Sequence, residues 1–420
     1  MQKIDNYIND RTDRTEYIMI NLLKMKRNIH LTLMALAGLL LHLEAAAQKV
    51  SLTVTNPTDM QRQEVIEADL QAISQLLNTD SSEPIVVTNA LGQEMPCQKS
   101  HDGRLLLFVA LQPDSKAEYT IKKGKPSAFK SQVYGRIYPE RLDDLTWEND
   151  RGIYRMYGPA LQRTGEKSYG TDVWVKNTPE LVAEQRYRLH MAGWAKGDSL
   201  RKAGKKEEGD AVFRDASFHL DHGYGMDVYS VGASLGCGTP ALMKDGQLCF
   251  PYCFKECKIL DNGPLRFTAE LTYGTTADGT TEHRLITLDK GSHYNKMTVW
   301  YEGISKPTTL AAGVVLHGDK DLVLDKDYVL YADPTDNPKV HQSQIFVGTL
   351  FPEGASQTVR LDGKPSHGVG LIQQYKGAPY TYYFGSAWSN YDVTTLAHWR
   401  LLADEYLARL RQPLSVQLNP

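Results

Sequence analysis

Apolar side chains recur at every second position through most of this 420-residue chain, and that period constrains the fold more than any other feature. Val50, Leu52 and Val54 alternate first; Phe267, Ala269, Leu271 and Tyr273 do so later, as do Met297, Val299 and Tyr301. A strand points successive side chains to opposite faces, so the spacing predicts half-buried strands. Further strands are predicted at 105–111, 119–122, 173–175, 285–288, 312–316, 345–350, 369–373 and 380–384, separated by Gly, Pro, Asn and Asp. Many short strands with few helices between them predict a mainly β protein, a large antiparallel β-sandwich. Two segments break the pattern. Ile66, Leu70, Ile73 and Leu77 fit helical spacing and also a strand pair. Leu396, Trp399, Tyr406 and Leu410 form an amphipathic stripe with Thr394 and Thr395 as caps and Pro413 as a stop, which predicts a C-terminal helix followed by a last strand at 414–418. The charged, Gly-rich stretch 196–210 lacks periodicity and is expected to be a solvated surface insertion.

Near the start, Met25-Lys26-Arg27, the apolar run 31–41 and Ala45-Ala46-Ala47 occur in the order of a secretory signal. The run is shorter than the roughly 20 apolar residues that a membrane span needs. Residues 25–47 are therefore expected to be a cleaved signal peptide, with 1–24 a polar extension upstream of the true start at Met25. The expected location is periplasmic or secreted, with no integral membrane segment in the mature chain. Residues 48–420 are expected to form one large β-sandwich domain, or that domain with a small N-terminal β unit at 48–125 set off by the Lys-rich stretch 122–130. A net charge of −3 gives no footprint for nucleic acid. An oxidising compartment permits disulfides among Cys97, Cys237, Cys249, Cys253 and Cys257, whose pairing the spacing leaves open. Pro251 argues against a helix that would align the last three thiols.

Two segments concentrate catalytic residue types. The first runs from Arg136 through Glu140, Arg141, Asp143, Asp144, Trp147, Glu148, Asp150 and Arg151 to Arg155 and Tyr157-Gly158-Pro159; the second is His219 to Tyr229. At these residues the sequence resembles the bacterial domain-of-unknown-function family 4861. The resemblance rests on Pro139-Glu140-Arg141 with Asp143-Asp144, Trp147-Glu148-Asn149-Asp150, Arg155 with Tyr157-Gly158-Pro159, and the run Gly170 to Lys176. It extends to the His219–Tyr229 segment, Gly263 to Arg266, Phe384-Gly385 and Trp399. The chain departs from the pattern at Thr239, where a further Gly is usual, and at Tyr224, where an acid is. The resemblance implies a sugar-handling supersandwich similar to galactose-mutarotase and polysaccharide-lyase folds. It also implies elimination of water from a terminal uronic acid during polysaccharide breakdown.

Elimination across C4 and C5 of a uronate needs a cation for the carboxylate, a base for the C5 proton and an acid for the departing C4 oxygen. Arg forks onto carboxylates, while His and Tyr exchange protons. The expected catalytic residues are His219, His222, Tyr157 and Tyr224. Expected substrate contacts are Arg151, Arg155, Asp172, Trp174, Lys176, Asp227 and Trp388, on an oligosaccharide substrate. Each has a blander reading: the arginines pair with Asp143, Asp144, Glu148 or Asp150, and Trp147, Trp174, Trp388 and Tyr229 fill the core. No cofactor or metal is expected; calcium on Asp143, Asp144, Glu148 and Asp150 is the alternative. The rival functions are a glycoside hydrolase using two of Glu148, Asp150, Asp172 and Asp227, and a non-catalytic sugar-binding protein. Phosphate-loop and His-Glu-x-x-His motifs are absent from the sequence.

Overall fold

The computed structural model describes residues 49–250, 252–334 and 343–419, together with Met19 and Met25. Apart from Met25, the expected signal at 25–47 lies outside the described residues. Paired strands are antiparallel throughout the sheets, as the alternation predicts. The N-terminal part stacks a five-stranded sheet, in the order Ser415–Asn419, Lys49–Thr55, Lys116–Lys123, Ile85–Asn89, Glu94–Met95, on a three-stranded one made of Arg62–Asp69, Arg104–Leu111 and Cys97–Lys99. Val50, Leu52, Val54, Leu105, Leu107 and Ile121 close a hydrophobic cluster of its own there. The final strand pairs with the first, Leu418 opposite Leu52. The ambiguous stripe 66–77 divides: Ile66 ends in a strand, and Leu70–Leu76 forms a short helix capped by Asp69, whose carboxylate accepts from Ala72 N at 2.9 Å.

The main body packs an eight-stranded sheet on a five-stranded one. The larger sheet runs Phe254–Asn262, Arg266–Tyr273, Thr281–Asp289, Tyr294–Glu302, Tyr380–Trp388, Ile345–Leu350, Tyr328–Asp333, Leu322–Asp325. Its inner face contributes Phe267, Leu271, Met297, Val329, Val347 and Phe384 to the principal core. The helix Leu396–Arg411 covers part of the outer face through Trp399, Ala403 and Leu407, and Thr395 caps it as expected. Burial on both faces explains why Tyr328–Asp333 reads as a continuous buried run. All five cysteines are free, and Cys257 lies in a strand. Among the described residues no helix is long and apolar enough to cross a membrane.

A four-stranded sheet, in the order Asp172–Trp174, Ile153–Met156, Asp144–Glu148, Tyr134–Tyr138, completes the body. Leu145, Trp147, Tyr154, Met156 and Val173 point into the principal core. By the same alternation, Asp144, Thr146, Glu148, Arg155, Asp172 and Trp174 occupy the other face, in register Arg155 opposite both Thr146 and Asp172. That polar face is covered by the helix Ala183–Lys202, which turns back into a second helix, Lys206–Ala216. The solvated insertion expected at 196–210 is thus a helical hairpin. Its packing is close because small residues meet: a Cβ on Gly193 would lie 2.1 Å from the Ala216 Cβ, and one on Gly197 2.7 Å from the Gly209 carbonyl.

Candidate functional site

The outer face of the four-stranded sheet, roofed by the helix Ala183–Lys202 and the loop 217–227, gathers most of the residues singled out above. Two glycines set its geometry. A Cβ on Gly158 would stand 2.0 Å from the Asp143 carbonyl oxygen, and Gly225, at φ +96°, lies so close to Val175 that a Cβ would be 2.0 Å from its carbonyl oxygen. The first close approach holds the 139–144 turn against Tyr157; the second presses the histidine loop onto the sheet edge.

Arg155 is the centre. The residue is 4% exposed, and its guanidinium pairs with Asp172 and lies 3.0 Å from Asp227 Oδ2 and 3.9 Å from Asp144 Oδ2. Tyr157 donates to Asp172 Oδ2 at 3.3 Å and accepts from Arg155 Nη2 at 3.3 Å. One cation therefore faces three carboxylates in a region that excludes water. Burial and the neighbouring Asp227 charge push Asp172 up to about 7, against the pull of Arg155, and burial also raises Asp144. Burial and Asp172 hold the Tyr157 phenol protonated, well above its ordinary range.

The Asp172 shift has a stability consequence. Unfolded, Asp172 ionises near about 3.9; folded, it holds its proton to about 7. Its contribution is complete below the lower value and is lost as pH rises through the upper one. Asp172→Asn, which fixes the neutral form, is therefore expected to flatten that limb. Thermal unfolding at about pH 8 should show the variant at least as stable as the wild type. A melting temperature well below the wild type at that pH would contradict the raised Asp172 carboxyl.

Lys176 and Glu148 form a knot beside this cluster. The Lys176 ammonium, fully buried, reaches Glu148 Oε2 at 3.2 Å and the carbonyls of Asn149 and Glu180 at 2.7 and 2.6 Å. Glu148 accepts from Val182 N and Ala183 N at 3.0 and 2.7 Å, fastening the start of the long helix. Lys176 thus spends its three donors on the protein, which leaves none for a ligand. The four acids weighed for calcium diverge: Asp144 meets Tyr187 and Arg155, Glu148 the helix start, Asp150 the Gly291 amide, and Asp143 lies near Arg163. Among the described residues no group of three or more His, Cys, Asp and Glu is placed to hold a metal ion.

The long helix adds residues that the sequence reading missed. Tyr187 bonds Thr146 at 2.8 Å and Asp144 at 3.3 Å. His190 stacks on Phe218, and burial lowers it to about 4, so it stays neutral. Arg186 is 2% exposed, with Trp174 4.7 Å and Tyr224 5.9 Å from its guanidinium. Only Nη2 has a hydrogen-bond partner, the Phe218 carbonyl at 3.0 Å; Nε and Nη1 have none among the described residues. Desolvation lowers Arg186 to about 10 despite nearby Asp227 and Glu148. Tyr224, where an acid was expected, thus lays a ring over a guanidinium that a carboxylate would have paired.

His219 stands at the solvent side, with its side chain 56% exposed. Its Nδ1 lies 2.7 Å from the Asp227 carbonyl, which can only accept, so Nδ1 carries the proton and neutral His219 presents a bare Nε2. His222 instead donates from Nε2 to the Ser217 carbonyl at 2.9 Å. Three expected contacts lie apart from this convergence or inside the structure. Arg151 sits in the turn after Asn149 and pairs with Asp392 at 2.6 Å. Trp388 points into the principal core from the end of its strand, paired with Ile345. Trp174, although beside Arg155 and Arg186, is fully buried and offers no open ring face.

Residues 54–416 match a family model described as "Domain of unknown function (DUF4861)". A relative named Uncharacterized protein P7, from Formosa agariphila, is 26% identical over 395 residues, 88% of this chain and 93% of that protein. A solved structure of a protein in the Glycosyl Hydrolase Family 38 from Enterococcus faecalis superposes with a TM-score of 0.50 at 10% identity, over 89% of this chain and 48% of that one. This chain spans about half the length of that structure, and the likeness is one of fold. An α-mannosidase from Enterococcus faecalis V583 gives a TM-score of 0.45 at 10% identity over 89% of this chain and 46% of that one, too low to argue from.

Proposed function

The chain belongs to the DUF4861 family, and from that premise we propose that it is a carbohydrate-active enzyme, periplasmic or secreted, that performs β-elimination on uronic-acid-containing oligosaccharides. The observation that carries the reading is the Arg186 guanidinium, buried in the site with two nitrogens unpaired. A buried cation without an anion is costly, and a substrate carboxylate supplies the missing partner. The other two requirements stand nearby. The bare Nε2 of His219 takes the C5 proton; the C5–H electron pair becomes the C4–C5 double bond; the C4–O bond breaks, and the departing oxygen receives the Tyr157 proton. Asp172, protonated up to about 7, replenishes Tyr157 across 3.3 Å. Arg155, enclosed by Asp144, Asp172 and Asp227, is a positioning residue. A fold shared with a Glycosyl Hydrolase Family 38 protein supports a sugar as substrate.

Glycoside hydrolysis remains the second reading because Asp172 and Asp227 both meet Nη2 of Arg155, a carboxylate pair at close range. Incubation with a uronate oligosaccharide and with its carboxyl-reduced, neutral counterpart separates the two. Elimination is expected to give a product that absorbs as a carboxylate-conjugated double bond, from the acidic substrate alone. Saturated products would establish hydrolysis instead, and binding without turnover of either would leave a sugar-binding protein.

A further inference from the structure

A concave region lies where the N-terminal sheets meet the main body. Three adjoining hollows, of about 170, 320 and 430 Å³, share Gln63 and Gly291. Acids along them are already engaged: Asp150 accepts from the Gly291 amide at 2.6 Å, Asp289 holds Arg266 at 2.6 and 2.8 Å, and Glu180 pairs with Lys130. Arg151 and Lys290 both face the space. Lys290, half-buried, places its ammonium 4.2 Å from the centre of the Phe108 ring and has no ion-pair partner among the described residues. Arg151 is 31% exposed on its side chain; its Nη1 shares one Asp392 oxygen with His293 Nε2, at 2.6 and 3.0 Å, and its Nε lies 3.6 Å from Asp150 Oδ2. Burial lowers Lys290, and Asp150 opposes that.

We propose that this groove is a second subsite, which binds an anionic unit of a saccharide chain between Arg151 and Lys290, with the Phe108 ring as an apolar platform for the sugar. An anion there gives the Lys290 ammonium the partner it lacks among the described residues and offsets its desolvation. Carboxylate and sulfate ester share this chemistry. Glu180 and Leu181 line the groove and shortly precede, in the chain, the helix that carries Arg186. The subsite rests on the reading of the protein as a binder of acidic oligosaccharides, and it extends that reading to the length and charge of the chain.

Calorimetric titration tests it, with His219→Ala as the parent protein so that no probe is turned over, using a galacturonate tetrasaccharide, a sulfated galactose tetrasaccharide and a neutral galactose tetrasaccharide. This parent should bind one or both acidic chains at least about tenfold more tightly than the neutral one, a difference typical of one charge-assisted contact. Preference between the two acidic probes identifies the anion. Lys290→Met should remove most of that advantage, and Lys290→Arg should restore it. Arg151→Met should act in the same direction, with thermal unfolding confirming that the Asp392 contact was not the fold's mainstay. Equal binding of acidic and neutral chains, or acidic binding unaltered in Lys290→Met, overturns the subsite. Elimination of a short uronate disaccharide should be unchanged in Lys290→Met; its absence from the wild type as well would fault the reaction, whereas the titration alone judges the groove.

Discussion

Arg155→Ala is expected to lower stability by about 3–5 kcal/mol, the cost of removing one partner from a buried ionic cluster. The loss arises because Asp144, Asp172 and Asp227 would share a dry interior with no cation touching them. Arg155→Lys keeps the charge, but a single ammonium cannot span three carboxylates and the Tyr157 hydroxyl, so an intermediate loss is expected. Equilibrium unfolding in urea at neutral pH measures both. The alanine deficit should shrink on acidification, since protonated carboxylates no longer need the cation and burial already raises Asp172 and Asp144. Unfolding of Arg155→Ala at the wild-type urea concentration would contradict the cluster's role in folding.

The strands were legible because period two and a buried face are the same fact seen in sequence and in space. Phe267, Ala269 and Leu271 alternate in the sequence and all three are in the principal core. The C-terminal helix was legible for the matching reason, since its stripe packs Trp399, Ala403 and Leu407. The hairpin over the site was not. The helix Ala183–Lys202 buries Arg186, Tyr187, His190, Gly193 and Gly197, which recur at helical spacing but are mostly polar or small. A search for apolar periodicity passes over such a stripe, because its partner is the polar face of a sheet. The repeated small residues and the long run free of Pro were the available signals.

The candidate site was legible in composition and not in assignment. Arg155, Tyr157, Asp172, Trp174, Asp227 and His219 do converge, because alternation from Arg155 and Asp172 puts them on one face and Gly225 brings the histidine loop to it. Which cation is unspent could not be read from the chain. Arg155 looks available beside Tyr157-Gly158-Pro159, yet its three carboxylates come from residues 144, 172 and 227. Arg151 and Arg155 are four residues apart, but one lies in a turn and the other in a strand, so they meet different partners: Asp392 for Arg151, and Asp144, Asp172 and Asp227 for Arg155. Arg186 lies in the segment with least apparent pattern.

The two histidines of the loop are expected to behave unequally. His219→Ala should lower turnover by roughly 100-fold or more, the usual contribution of a positioned general base. The argument is one of tautomer and place: the Asp227 carbonyl fixes the proton on Nδ1, the bare Nε2 is on the solvent side, and Asp227 itself is anchored by Arg155. His222 is engaged through Nε2 with the Ser217 carbonyl on an exposed stretch of the loop, so His222→Ala should cost only a few-fold. Substrate binding by calorimetry should survive both changes, since the carboxylate is held at Arg186. His219→Gln tests the base further, because its amide can keep a contact with the Asp227 carbonyl but cannot accept the C5 proton, and it should be as slow as the alanine variant. Near-wild-type turnover of His219→Ala at every pH tested would remove this histidine from the chemistry and return the base to the carboxylates around Arg155.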